Sequence, residues 1–71
     1  MIEITKNNAE TLKNRNISKI ESTNLTAEIN EKNVKSIQFF EVHGDNILFF
    51  VYDNEDNLTT YGADTWTVTT I

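Results

Sequence analysis

Ile37-Gln-Phe-Phe-Glu-Val-His-Gly-Asp-Asn-Ile-Leu-Phe-Phe-Val-Tyr-Asp53 contains all four phenylalanines of the chain, interrupted once by His43-Gly44-Asp45-Asn46. The interruption reads as a tight hairpin turn. Gly44 can adopt the positive φ that a type II′ turn requires at its first central position. With Gly44-Asp45 at the tip, His43 faces Asn46, Val42 faces Ile47, Phe40 faces Phe49 and Phe39 faces Phe50. Paired residues share a side of a sheet and neighbours alternate sides. Phe40, Val42, Ile47, Phe49 and Val51 are therefore expected on one face. Ile37, Phe39, Leu48, Phe50 and Tyr52 are expected on the other. Strands apolar on both sides belong in the middle of a sheet, with something covering each face.

Outward from this hairpin the pattern predicts more strands. Leu58 to Tyr61 and Thr65 to Ile71 are rich in threonine and aromatic residues, with Gly62-Ala63-Asp64 as a turn between them. That turn would set Thr60 against Trp66 and Leu58 against Val68, with Trp66 and Val68 on the Phe49 face and Tyr61 on the Phe50 face. Upstream, Leu25, Ala27 and Ile29 alternate with polar residues. A turn at residues 30–33 would fold that strand onto the hairpin, pairing Ile29 with Lys35, Ala27 with Ile37 and Leu25 with Phe39. The competing reading of this stretch is a helix from Thr26 to Val34. Met1 to Thr5 alternates as a short edge strand. Asn7-Asn8 offers an N-cap to a short helix beginning at Ala9, or to a longer one reaching Ser22. Residues 17–22 fit helix or strand.

The expected architecture is thus α+β: a five-stranded antiparallel meander with a short N-terminal helix packed on one face. A small five-stranded β-barrel is the alternative, since strongly twisted meanders can close. Seventy-one residues make a single small domain. A chain of this size buries only about 60% of its unfolded surface. It has no cysteine, which excludes disulfides and cysteine-based zinc sites. No apolar run reaches membrane-spanning length and no signal peptide is evident, so the cytoplasm is the expected compartment. Abundant asparagine and absent proline suit a low-GC coding genome, bacterial or phage.

Charge narrows the partners. Eleven acids against six bases give a net charge of −5, and no basic side chain follows Lys35. That disfavours direct nucleic-acid binding, which needs a basic footprint, and leaves an aromatic face of Phe39, Phe50, Tyr52 and Tyr61 without the cations a base-stacking platform uses. Asp53, Glu55, Asn57 and Asp64 echo the spacing of a calcium loop, but Leu58 stands where the turn glycine belongs. A solvated hairpin tip accounts for them better. His43 is the only histidine, the serines lack a glycine-rich elbow, and Glu41 stands alone, so no catalytic set emerges. Three Asn-X-Thr/Ser triplets are expected by chance at this composition.

The sequence therefore points to a non-enzymatic protein-interaction module of the kind phages and mobile elements encode, docking on a protein partner without cofactor or metal. The candidate interaction face is Leu25, Ile37, Phe39, Leu48, Phe50, Tyr52 and Tyr61, because one short helix can cover one face of the sheet and not two. A second copy, related by a two-fold axis, is the simplest partner for such a patch. The alternative function is an acidic nucleic-acid mimic that occupies a DNA-binding protein. It would use Glu41, Asp45, Asp53, Glu55, Asp56 and Asp64.

Overall fold

The computed structural model describes residues 1–23 and 29–71. The strands are β1 (Ile2–Ile4), β2 (Ile17–Glu21), β3 (Ile29–Asn30), β4 (Ser36–His43), β5 (Asn46–Tyr52), β6 (Leu58–Ala63) and β7 (Trp66–Thr70). They form two antiparallel sheets. Sheet A has the order β1-β7-β2-β3 and sheet B the order β4-β5-β6. The core lies between them.

This corrects the α+β expectation and its five-stranded alternatives. Among the described residues no helix reaches seven residues. The predicted N-terminal helix is a single 3-10 turn, Ala9–Leu12. Its side chains do what a helix face would: Ala9 and Leu12 are buried. The turn stops because Lys13 is extended and Asn14 adopts φ +63, a value asparagine tolerates better than most residues. Asn8 does not cap it. Its side-chain carbonyl accepts from the Thr5 amide (2.8 Å), and its amide group donates to the Glu3 carbonyl (2.9 Å).

What covers the Phe49 face is therefore a second sheet. The chain leaves sheet B after Ala63 and enters sheet A at Trp66, so the predicted β6–β7 hairpin does not form. Instead β7 lies between β1 and β2, pairing Ile4 with Trp66, Ile2 with Val68, and Ile20 with Val68. Trp66 is fully buried, stands edge-on to Phe49 at 4.9 Å between ring centroids, and donates its indole N–H to the Ile47 carbonyl at 2.9 Å. A buried indole needs such a partner, and this bond ties the two sheets together.

Residues 17–22 fit both helical and strand patterns because β2 is irregular. Its register shifts between Ile17 and Lys19. Ile17 and Ile20 are both buried although three positions apart, a spacing that looks helical in sequence. Ile29 pairs with Ile20 in sheet A and not with Lys35 as predicted. The turn after it is real: the Asn33 and Val34 amides both donate to the Asn30 carbonyl at 3.1 Å, and Asn33 Oδ1 accepts from the Asn30 amide at 3.0 Å. The predicted pairings of Leu25 and Ala27 lie outside the described residues.

In the central hairpin the turn follows expectation. Gly44 has φ +65 and Asp45 keeps a negative φ, which separates type II′ from type I′. His43–Asn46 and Val42–Ile47 pair as predicted. Beyond them a bulge between Phe39 and Glu41 shifts the register, so that Phe39 and not Phe40 opposes Phe49. The physical reason is the polar residue at 38. Without the bulge, positions 38, 40 and 42 would share the core face and bury Gln38. With it, Ile37, Phe39 and Val42 turn inward, while Gln38 and Glu41 stay exposed.

Candidate interaction surface

β5 separates two environments by strict alternation. Ile47, Phe49 and Val51 are buried, and Leu48, Phe50 and Tyr52 stand half-buried on the opposite, outer face of sheet B. The bulge adds Phe40 to that outer face, stacked on Phe50 with centroids 4.2 Å apart. β6 adds Leu58, which pairs with Tyr52. Phe40 and Leu58 remain 42% and 48% exposed, the large apolar side chains most exposed away from the chain ends among the described residues. Gly62 lies opposite Leu48, and a Cβ on it would meet Leu48 Cδ2 at 2.7 Å. Leu48 therefore lies flat across the strand, and the strip continues to the edge of the sheet.

The predicted interaction set does not share one face. Leu48, Phe50 and Tyr52 belong to this outer strip. The bulge turns Ile37 and Phe39 into the core, where Ile37 is buried and Phe39 packs edge-on to Phe49 at 6.2 Å. Tyr61 pairs with Phe49 and packs on the core as well. Leu25 lies outside the described residues. Sequence reasoning missed Phe40 and Leu58, which it placed with the core. Gln38, misplaced on the core side by unbroken alternation, was the signal that could have revealed the bulge.

Polar groups frame the strip. At one end Lys35 donates to Asp56, and Lys35, Gln38, Tyr52 and Asp56 line a shallow depression. The Asp53 carboxylate is engaged by its own loop, accepting from the Asn57 amide (2.9 Å), the Glu55 amide (2.8 Å) and Asn57 Nδ2 (3.3 Å). The Asn57 backbone bond is the main reason its pKa lies below the ordinary carboxylate value. These are the residues that echo a calcium loop. Among the described residues no three His, Cys, Asp or Glu side chains cluster as metal ligands. At the other end, Asp45 pairs with Lys6 at 2.7 Å across the sheets. This hydrogen bond, with the ion pair behind it, lowers the Asp45 pKa and raises that of Lys6.

The backbone at the β6 edge is the remaining feature. In a two-residue hairpin the residues flanking the turn, His43 and Asn46, form a closely spaced bonded pair. Even-numbered β5 residues thus bond toward β4 and odd-numbered ones toward β6. The Asp53 amide donating to the Asn57 carbonyl at 3.0 Å agrees. By the register, Thr59, Tyr61 and Ala63 then bond to β5, while the N–H and C=O groups of Leu58, Thr60 and Gly62 point out of the sheet. Leu58, Thr60 and Gly62 are exposed. Among the described residues no strand pairs beyond β6.

Among the described residues no helix is long and apolar enough to cross a membrane. Comparison of the chain with family models, with curated proteins and with solved structures finds no match.

Proposed function

We propose that this chain is a small non-enzymatic interaction module that docks on a protein partner through the outer face of sheet B. The observation that carries the reading is the strip formed by Phe40, Leu48, Phe50, Tyr52 and Leu58. Here sheet A covers the inner face, and the outer face still presents aromatic and leucine side chains side by side. Apolar side chains gathered in this way mark interaction sites more often than the same residues scattered singly.

The acidic-mimic reading has less support. Of its six acids, Asp45 and Asp56 are engaged by Lys6 and Lys35, and Asp53 by its own loop. Glu41, Glu55 and Asp64 remain, which is a thin set to stand in for a phosphate ladder.

The test is affinity capture from a lysate of the encoding organism with three baits. These are the wild-type chain, Phe50→Lys and, as a control at an exposed position of the Ala9–Leu12 turn, Thr11→Lys. Proteins held by the wild type and by Thr11→Lys should be lost with Phe50→Lys. Identical capture by all three, or none by any, would remove the outer face as the working surface.

A further inference from the structure

Charge is divided along the chain. Residues 1–35 contain all six bases and five of the acids, which nearly cancel. Residues 36–71, which supply the whole of sheet B and strand β7 of sheet A, contain Glu41, Asp45, Asp53, Glu55, Asp56 and Asp64 and no lysine or arginine. Of the four sheet edges among the described residues, β1 and β6 differ as well. At β1 the outward Glu3 carbonyl is taken by the Asn8 side chain. At β6 no side chain among the described residues serves that purpose, and Leu58-Thr-Thr-Tyr-Gly-Ala63 carries no charge, no proline and no bulge. Those are the usual devices that keep an edge strand from pairing.

We infer that the β6 edge accepts an extended basic segment of a partner protein as a fourth strand of sheet B. The inference rests on the reading of sheet B as an interaction surface. The backbone groups of Leu58, Thr60 and Gly62 would supply the main-chain bonds, as in other β-strand additions. Alternate side chains of the added strand would lie beside Leu58 and Leu48 and extend the apolar strip. Glu55 lies beyond one end of β6 and Asp64 beyond the other. Neither carboxylate makes an ion pair among the described residues. Six strand residues span roughly 20 Å, so lysines or arginines about six or seven residues apart would reach both ends. A second copy fits poorly, because each would bring its own Glu55 and Asp64 to the same edge.

The probe is a capped, fluorescently labelled peptide of two lysines, five alternating valines and threonines, and two lysines, titrated against the intact chain by anisotropy. Saturable binding that weakens as salt rises is expected. A peptide with glutamates replacing the lysines should bind at least about tenfold more weakly. Thr60→Pro removes only an outward N–H, a position where edge strands tolerate proline, and should weaken binding about tenfold or more with the fold intact by circular dichroism. If that variant fails to fold, Glu55→Gln with Asp64→Asn serves instead and should flatten the salt dependence. No saturation at about 1 mM peptide, a bound affinity that Thr60→Pro or the Glu55/Asp64 pair leaves unchanged, or a dimer in sedimentation that Thr60→Pro dissolves would each overturn the inference. Failure here with Phe50-dependent capture retained would leave the interaction surface standing. Failure of both would remove it.

Discussion

The two sheets are built on opposite plans. Sheet B is a local meander in which each strand pairs with its neighbour in sequence. Sheet A is assembled from both ends of the chain, with the last strand inserted between the first two. The local sheet gains little stability from its own pairing, since three strands need a covered face to persist. The non-local sheet requires the two ends of the chain to be brought together, a loop closure that local pairing does not need. Each sheet is therefore the other's core. Trp66 is where this mutual dependence is concentrated, because it packs on Phe49 and bonds to the Ile47 carbonyl from the opposite layer.

The strongest way to break that dependence is Trp66→Ala. It should cost ~3–5 kcal/mol, which reaches the whole stability of many small domains. Urea denaturation followed by circular dichroism measures it. In the intact protein, tryptophan emission should be blue-shifted and resistant to iodide. Emission as red as free tryptophan would contradict a fully buried indole.

Neighbouring phenylalanines sharpen the contrast between inner and outer faces. Phe49→Ala should cost ~3–5 kcal/mol. Phe50→Ala, on the half-exposed side, loses partial burial and one ring stack worth about 0.5–1.5 kcal/mol. The bulge predicts a similar inequality one strand away, with Phe39→Ala more costly than Phe40→Ala. Equal effects at residues 39 and 40 would mean that the register does not shift there.

Gly44→Val addresses sheet B alone. A built Cβ at Gly44 meets nothing within 4 Å, so the whole cost comes from its positive φ. A β-branched residue resists that conformation by about 1 kcal/mol or more. An unchanged urea midpoint would exclude the type II′ turn.

The smallest effect concerns the ion pair that bridges the sheets. Asp45 and Asp53 have folded-state pKa values below the ordinary 3.8. Protons bind the unfolded chain first as pH falls, so the stability these groups contribute is present above their ordinary pKa. It is lost as pH drops through the lowered values. Lys6 is raised above 10.5, and its contribution is present below that value and lost as pH climbs through the folded one. Asp45→Asn should flatten the acid limb slightly, and Asp53→Asn should also flatten it by removing the titrating carboxylate of the loop. Since Lys6 and Asp45 are exposed, added salt should shrink the Asp45 effect. Thermal melts against pH, at low and high salt, check this.

Phe40 and Leu58 show why the interaction surface was only half legible. The β5 triplet Leu48, Phe50 and Tyr52 was placed together from alternation alone, because β5 is regular from end to end. Phe40 was misassigned by one extra residue in β4. Alternation joins Leu58 to Val68 only if β6 pairs with β7, whereas among the described residues β6 pairs with β5 alone and sets Leu58 against Tyr52. The edge character of β6 could not be read at all, since being an edge depends on where the next strand goes.

The sequence by itself determined the central hairpin, its type II′ turn, the inner and outer faces of β5, and the placing of Trp66 and Val68 on the Phe49 side. Each follows from local rules: a glycine at positive φ, a period of two, or an apolar side chain among polar neighbours. Only the tertiary structure decided that two sheets and not a helix enclose the core, that β7 passes between β1 and β2, and that bulges in β2 and β4 reset the alternation. Those outcomes depend on which partner a strand finds. Strand pairing is a long-range choice among nearly equivalent partners, settled by what buries Trp66 and Phe49 together while leaving Gln38 in water.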